Sequence, residues 1–133
     1  TINQLSEKDL FWQYNNESNS IYTIIKHLSG NMISRWTNIF TEDGEKDWRN
    51  RDEEFIQDIN SKEKLIVVWE KGWKCLFDTL RTLEINDLNK IIYIRNQGHT
   101  VMEAINRQLA HYPYHIGQIV FIGKMIKKYI QHF

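Results

Sequence analysis

The longest helical pattern of the 133-residue chain lies near its end, at Thr100–Tyr129, TVMEAINRQLAHYPYHIGQIVFIGKMIKKY. Its apolar residues recur at intervals of three and four, which predicts a helix with one core-facing side. They are Ile105, Leu109, Tyr112, Ile116 and Ile119. Thr100 and Glu103 fit a capping box at the start, whereas Pro113 predicts a kink or a break. The sequence therefore predicts a long last helix that bends or breaks near its middle.

Two earlier segments, Ser20–Phe40 and Lys62–Leu83, carry the same helical spacing. The hydroxyl of Ser18 or Ser20 can cap the first of them, and that of Ser61 can cap the second. The apolar positions of the first are Ile21, Ile24, Ile25, Leu28, Met32, Trp36 and Ile39. Those of the second are Leu65, Val68 or Trp69, Trp73, Leu76, Phe77, Leu80 and Leu83. We therefore predict three long helices.

The segment Thr41–Ile59 is mostly charged between residues 42 and 54, which predicts a long loop. Trp48 and Phe55 are its embedded aromatic residues, and we expect them to pin the loop. Arg49 and Arg51 can clamp a substrate carboxylate through paired hydrogen bonds. The mixed charges favour instead ion pairs inside the loop, for which the carboxylates are Asp47, Asp52, Glu53 and Glu54.

A short β element is predicted between the last two helices. Lys90–Arg95 is rich in β-branched residues and ends at the turn residues 96–98. Residues 12–14 are the extended candidate for its partner strand. Three long helices do not easily close a bundle, and Thr1–Leu5 resembles the tail end of a helix. We therefore expect either a first helix that is largely missing from this chain or a partner subunit that covers the exposed helix faces.

Composition narrows the class of protein. Hydrophobic residues make up 41% and charged residues 26%, which is typical of a single globular domain, here residues 1–133. Seventeen basic and seventeen acidic residues cancel, which argues against nucleic-acid binding. The chain has a single cysteine, Cys75, which excludes an internal disulfide and is expected in the core. Because disulfides are rare in the reducing cytosol, we expect a cytoplasmic protein. No apolar run is long enough to span a membrane.

Three of the five histidines suggest a metal site. His111 and His115 are four residues apart in the last helix, so their side chains leave the same face. His27 lies at the edge of the apolar face of the first long helix and can approach them. Neutral imidazole suits Zn²⁺, Ni²⁺, Fe²⁺ and Cu²⁺. The alternative is that these histidines flank the core and hydrogen-bond to their neighbours.

Other polar residues near these histidines admit a functional or a structural role. Asn31 and Gln118 each lie one turn from a candidate ligand and can orient it or a bound water. Tyr112 occupies the position where a zinc protease would carry its general-base glutamate, and we expect it in the core. His99 and His132 are expected at the surface, although His99 can approach the mouth of the site.

Two motifs carry a family resemblance. The first is HLSGN at 27–31 together with HYPYHIGQI at 111–119, which resembles the DinB/YfiT-like superfamily of metal-binding helical bundles. The second, DGEKDWRNRDEEF at 43–55, resembles the signature of an uncharacterised subgroup of that superfamily.

The resemblance implies a four-helix bundle whose divalent metal (zinc, nickel, iron or manganese) is held by His27, His111 and His115. Independently of the resemblance, we expect a homodimer. Relatives include thiol-dependent transferases, so the expected function is a metal-dependent thiol S-transferase that uses a low-molecular-weight thiol and a small electrophile. The alternative is a non-enzymatic metal-containing module that acts in a stress response or binds a partner. Neither nucleic acid nor a membrane is an expected partner.

Overall fold

The computed structural model describes residues 1–128, which form four α-helices and a two-stranded sheet. The helices are α1 (Glu7–Leu10), α2 (Ile21–Trp36), α3 (Lys62–Thr82) and α4 (Val101–Lys128), and the strands are β1 (Ile91–Ile94) and β2 (Gln97–Thr100). Single 3₁₀ turns occur at Ile2–Gln4, Asp52–Phe55 and Ile85–Asp87. The mainly helical class is confirmed. Within the described residues, however, three helices are long and α1 is a single turn.

The core is built around α2. All seven apolar positions predicted for this segment are buried, which confirms the helical spacing. The Ser20 hydroxyl accepts a hydrogen bond from the Thr23 backbone N–H at 3.2 Å, so Ser20 is the cap. The helix ends at Trp36 rather than Phe40, because the backbone of Thr37 is extended, with φ −78° and ψ 125°. Asn38 follows with a φ of 50°, a left-handed conformation that asparagine tolerates better than most residues.

A glycine brings α2 and α3 close together. A Cβ atom built on Gly72 would lie 2.8 Å from Ser29 Cα, closer than real Cβ atoms come to another atom. The Ser29 hydroxyl donates a hydrogen bond to the Val68 carbonyl at 2.7 Å across the same contact. Glycine lowers helix propensity by about 1 kcal/mol relative to alanine. The close approach of the two helix backbones explains its presence here.

The last helix begins as predicted and runs through its proline. The Thr100 N–H donates to Glu103 Oε2 at 2.7 Å, and the Glu103 N–H donates to Thr100 Oγ1 at 3.1 Å. Pro113 lies inside an unbroken helix of 28 residues, so the expected break does not occur. Leu109 was predicted in the apolar face but is 67% exposed, because it lies at an open apolar recess between α3 and α4. The predicted end at Tyr129 lies outside the described residues.

The predicted strand is present, but its expected partner at residues 12–14 is wrong. Strand β1 pairs antiparallel with β2, with Ile94 opposite Gln97. Arg95 and Asn96 form the connection with φ values of 53° and 61°, and two positive values are typical of a tight hairpin turn. A local hairpin closes a much shorter loop than the distant pairing would, so it costs less conformational entropy.

The loop between α2 and α3 is pinned by charged side chains rather than by its aromatic residues. Trp48 is 59% exposed and Phe55 is 62% exposed, so the expectation that they pin the loop is wrong. Lys46 is 7% exposed and its Nζ donates to the Ser34 carbonyl at 2.9 Å and the Asp43 carbonyl at 2.6 Å. Backbone carbonyls need donors when they are buried, and the lysine supplies them where tryptophan and phenylalanine cannot.

The N-terminal residues form short turns. Ile2–Gln4 is one 3₁₀ turn that ends at the buried, extended Leu5, and Ser6 then caps α1 through a capping box with Asp9. The expectation that Thr1–Leu5 is the tail of an α-helix is therefore wrong, because these residues form a 3₁₀ turn followed by extended backbone. Within residues 1–128, no helix combines the length and the apolar character that a membrane-spanning segment requires.

Candidate metal centre

Helices α2 and α4 bring three imidazoles to one point. The Nε2 atom of His111 lies 3.3 Å from that of His27 and 3.2 Å from that of His115. The ligand atoms of the three residues all lie within 4.8 Å of one another. Each histidine is partly buried, and the side chain of His27 is 20% exposed to solvent. The three predicted ligands therefore form one cluster that solvent can still reach.

The separations suit a common metal ion. With metal–nitrogen bonds of about 2.1 Å and bond angles of about 90–110°, neighbouring ligand nitrogens lie roughly 3.0–3.4 Å apart. The two separations at His111, 3.2 and 3.3 Å, fall within this range. These two distances are compatible with both tetrahedral and octahedral bond angles at the metal, so they leave the choice among zinc, nickel, iron and manganese open.

Each imidazole is also fixed on its other side. His27 Nδ1 lies 2.9 Å from Glu54 Oε2, His111 Nδ1 lies 3.0 Å from Gln108 Oε1, and His115 Nδ1 lies 2.7 Å from Gln118 Oε1. All three partners are oxygen atoms, so each Nδ1 carries the proton and donates it. Metal-binding histidines in proteins usually have this arrangement, in which the second nitrogen donates to an oxygen that fixes the ring.

The same hydrogen bonds leave three Nε2 lone pairs directed at the centre of the cluster. Burial, followed by the nearby imidazoles of His115 and His27, lowers the pKa of His111 to about 4. Burial also lowers the pKa of His115. A single bridging proton satisfies one pair of nitrogens, whereas a metal ion satisfies all three. The donor set therefore fits a divalent transition metal.

The carboxylate at His27 comes from the loop and is held by an arginine. Arg49 Nη2 lies 2.9 Å from Glu54 Oε1, and the side chains of Arg49 and Glu54 are 2% and 8% exposed. Gly30 makes room for this pair, since a Cβ atom there would lie 2.7 Å from Glu54 Oε1. The predicted pairing of Arg49 within the loop is confirmed. It leaves Arg49 buried beside Glu54 rather than free to clamp a substrate.

Tyr112 joins α2 to α4 next to the cluster. Its hydroxyl donates to Asn31 Oδ1 at 2.8 Å and accepts from Trp36 Nε1 at 3.0 Å. Tyr112 is 4% exposed, and burial raises the pKa of its phenol. This confirms Tyr112 as a core residue. The structure also places Asn31 against this phenol, whereas Gln118 contacts a histidine of the cluster.

The remaining candidates lie away from the cluster. Cys75 is partly buried against the core, with Sγ 3.5 Å from Thr37 Oγ1, as expected for a small core residue. His99 is partly buried in β2, opposite Ile92. Arg51 is exposed. His132, expected at the surface, lies outside the described residues.

Sequence reasoning missed two residues that orient the cluster. Gln108 precedes His111 by three positions, which mirrors the spacing of Gln118 after His115, so helical periodicity could have found it. Glu54 is 27 residues from His27 in the chain. The sequence signal for Glu54 was its place in the motif at 43–55. The motif contains several carboxylates and does not distinguish the one whose side chain is buried.

These features define a mainly helical protein in which two helices bring three histidines together at a candidate metal centre. The chain belongs to the family described as "Protein of unknown function (DUF1572)", whose model matches residues 1–131. No curated protein and no solved structure shows a significant match to the chain.

Proposed function

We propose that His27, His111 and His115 hold a divalent transition metal (zinc, nickel, iron or manganese) and that the protein is a metal-dependent thiol S-transferase. The observation that carries the metal site is the convergence of three Nε2 atoms whose rings are each fixed through Nδ1. The resemblance to the DinB/YfiT-like metal-binding bundles supports the transferase activity, as does the access of solvent to His27.

A bound cation would make a low-molecular-weight thiol acidic enough to react as a thiolate at neutral pH. Three protein ligands leave coordination positions open for such a molecule, which is the pattern of catalytic rather than structural sites. In the transfer, a sulfur–carbon bond forms with the electrophile, and the leaving group departs with its bonding electrons. The thiol proton passes to solvent or to the leaving group.

The residues around the histidines position them. Both oxygens of Glu54 are engaged, one by His27 and the other by Arg49, so Glu54 fixes a ring rather than accepting a proton from substrate. Gln108 and Gln118 carry no charge and hold the other two rings. In this proposal the chain contributes three Nε2 atoms in fixed positions and a surface on which the reactants bind.

The natural protein and two histidine variants, each purified, test both parts of this proposal. Elemental analysis should find about one transition-metal ion per chain, and a His27→Ala variant should lose it. The metal-loaded protein should then accelerate the reaction of cysteine, glutathione or 2-mercaptoethanol with monobromobimane, relative to a His111→Ala control. Metal without acceleration would support the second candidate below, and absence of metal would overturn the whole proposal.

The second candidate is a non-enzymatic metal-containing module that acts in a stress response or binds a partner. The engagement of both Glu54 oxygens favours it, because this carboxylate beside the cluster is not free to act as a general base. We propose a homodimer in either case, which light scattering of the purified protein would test. A dimer that keeps its metal and is inactive toward every thiol would establish this candidate.

A further inference from the structure

A cavity of about 580 Å³ lies beside the metal centre, between the segment before α2 and the outer part of α4. This volume is within the range of about 300–1,000 Å³ that is usual for small-molecule sites. Residues that line it include Trp12, Tyr14, Glu17, Gln118, Phe121 and Met125. The cavity is therefore large enough for a molecule with two fused rings.

The cavity reaches the metal centre through one shared residue. Gln118 lines the cavity, and its Oε1 accepts the hydrogen bond from His115 Nδ1 at 2.7 Å. Ile24, one helical turn before His27, lines the same cavity from α2. A molecule that fills the cavity as far as Gln118 touches the side chain that orients one of the histidines.

The lining favours aromatic ligands without negative charge. Trp12 and Tyr14 meet edge to face with ring centroids 6.5 Å apart, and Phe121 is 64% exposed in the opposite wall. Aromatic faces attract other rings and cations. Among residues 1–128, Glu17 is the only charged residue that lines the cavity, and no lysine or arginine does so. An anion placed there would have no positive partner among these lining residues.

We propose that this cavity binds a small aromatic molecule that is neutral or cationic, and that this molecule is the electrophilic substrate of the metal centre. The substrate role rests on the proposed function. Binding of the aromatic molecule does not, because none of the cavity contacts named above involves the metal. The two parts can therefore fail separately in one set of measurements.

Three probes of the same shape and different charge test the binding. They are tryptamine (a cation), tryptophol (neutral) and indole-3-acetate (an anion). The chain has three methionines, so protein labelled with ¹³C at the methionine methyl groups gives three NMR signals. Met125 lines the cavity, whereas Met32 is buried in the core and Met102 lies at the start of α4, so these two are internal controls.

Tryptamine and tryptophol should shift the Met125 signal saturably and leave those of Met32 and Met102 in place. Indole-3-acetate should bind at least about tenfold more weakly, which corresponds to about 1.4 kcal/mol. Equal binding of the anion, or no shift of Met125 with any probe at 5 mM, would overturn the proposal. Phe121→Ala should weaken tryptophol binding about two- to tenfold, and Tyr93→Ala, which removes an exposed ring on β1, should not.

The link to the metal centre is measured on the cobalt-loaded protein. Saturating tryptophol should change the visible spectrum of the bound Co²⁺, because the ligand contacts Gln118 and Gln118 orients His115. An unchanged spectrum with normal Met125 shifts would overturn the substrate role. If the protein takes up no cobalt, the proposed function fails, and the substrate role fails with it. Met125 shifts in metal-free protein would in that case still establish the aromatic site.

Discussion

The two halves of the histidine cluster are built in different ways. In the α4 half, His111 and His115 are oriented by Gln108 and Gln118, and all four residues lie within eleven consecutive positions of one helix. In the α2 half, His27 is oriented by a glutamate from a loop. One half therefore depends on helical periodicity, and the other depends on how a distant segment folds back.

The difference is also one of charge. The α4 half contains only neutral amides and imidazoles, whereas the α2 half contains the buried ion pair between Arg49 and Glu54. Removing one partner from such a pair is costly because the other charge stays buried without compensation. We therefore expect the α4 half to tolerate changes to its supporting residues and the α2 half to respond to them strongly.

The largest effect is expected from the residue that joins the halves. His111 Nε2 contacts both other Nε2 atoms, so His111→Ala should weaken metal binding by more than the ~10–100-fold that is typical of losing a supporting residue. Calorimetric titration of the metal-free protein with Zn²⁺ measures this. His99→Ala is the control, because it removes an imidazole from β2 outside the cluster. Similar affinities of the two variants would show that the cluster is not a metal centre.

A comparison of supporting residues tests the asymmetry directly. Glu54→Gln should weaken Zn²⁺ binding about 10–100-fold and lower the free energy of unfolding by on the order of 3 kcal/mol, because Arg49 loses its buried partner. Gln118→Ala should weaken binding about tenfold or less, with little change in stability. Zn²⁺ titration and urea unfolding give the two quantities.

Glu53→Gln is the matched control for Glu54→Gln, since Glu53 is an exposed carboxylate in the same turn. It should leave the affinity for Zn²⁺ and the stability unchanged. If Gln118→Ala proves as harmful as Glu54→Gln, the two halves are equivalent and the comparison above is wrong.

The same division decides what the sequence could predict. Helices α2 and α4 and the approach of His27 to the last helix follow from apolar spacing, and the helix caps follow from Ser, Thr and Glu at the helix starts; both signals report local geometry. Glu54 could not be found in this way, because four carboxylates of residues 47–54 are equivalent in sequence and only the folded loop selects one. Lys46 was missed as the anchor of the loop for a related reason, since its partners are backbone carbonyls.

The same substitution, glycine to alanine, can be made near a candidate ligand in each half of the cluster. Gly30→Ala places a Cβ atom 2.7 Å from Glu54 Oε1, so it should displace the carboxylate from His27, lower the stability by about 1–3 kcal/mol and weaken Zn²⁺ binding. Gly117 lies two residues after His115 on α4, and the Cβ atom of Gly117→Ala meets nothing within 4 Å. It should raise the stability by about 0.5–1 kcal/mol and leave the metal affinity unchanged. Thermal unfolding and Zn²⁺ titration measure both, and equal effects of the two substitutions would contradict the role assigned to Gly30.

The smallest effect is expected where the hairpin holds the loop. The Asp43 carboxylate accepts hydrogen bonds from the backbone N–H groups of Glu45, Arg95 and Asn96 at 2.7, 2.9 and 2.9 Å. Partial burial raises the pKa of Asp43, but these hydrogen bonds outweigh it, so the pKa lies below the usual 3.8. The stabilisation is therefore complete above pH 3.8 and is lost as the pH falls through the lowered pKa.

Asp43→Asn should accordingly reduce the free energy of unfolding by about 1 kcal/mol at pH 7, and the difference from the natural protein should shrink as the pH falls toward 3. Urea unfolding across this range measures it. Asp47→Asn, an exposed carboxylate of the same loop, is the control and should have no effect at either pH. Because Asp43 fixes the loop that carries Glu54 and not α4, its loss should loosen the hydrogen bond at His27 and spare those at His111 and His115. NMR signals of the three imidazoles distinguish these outcomes, and a uniform response of all three would mean that the hairpin supports the whole cluster rather than its α2 half.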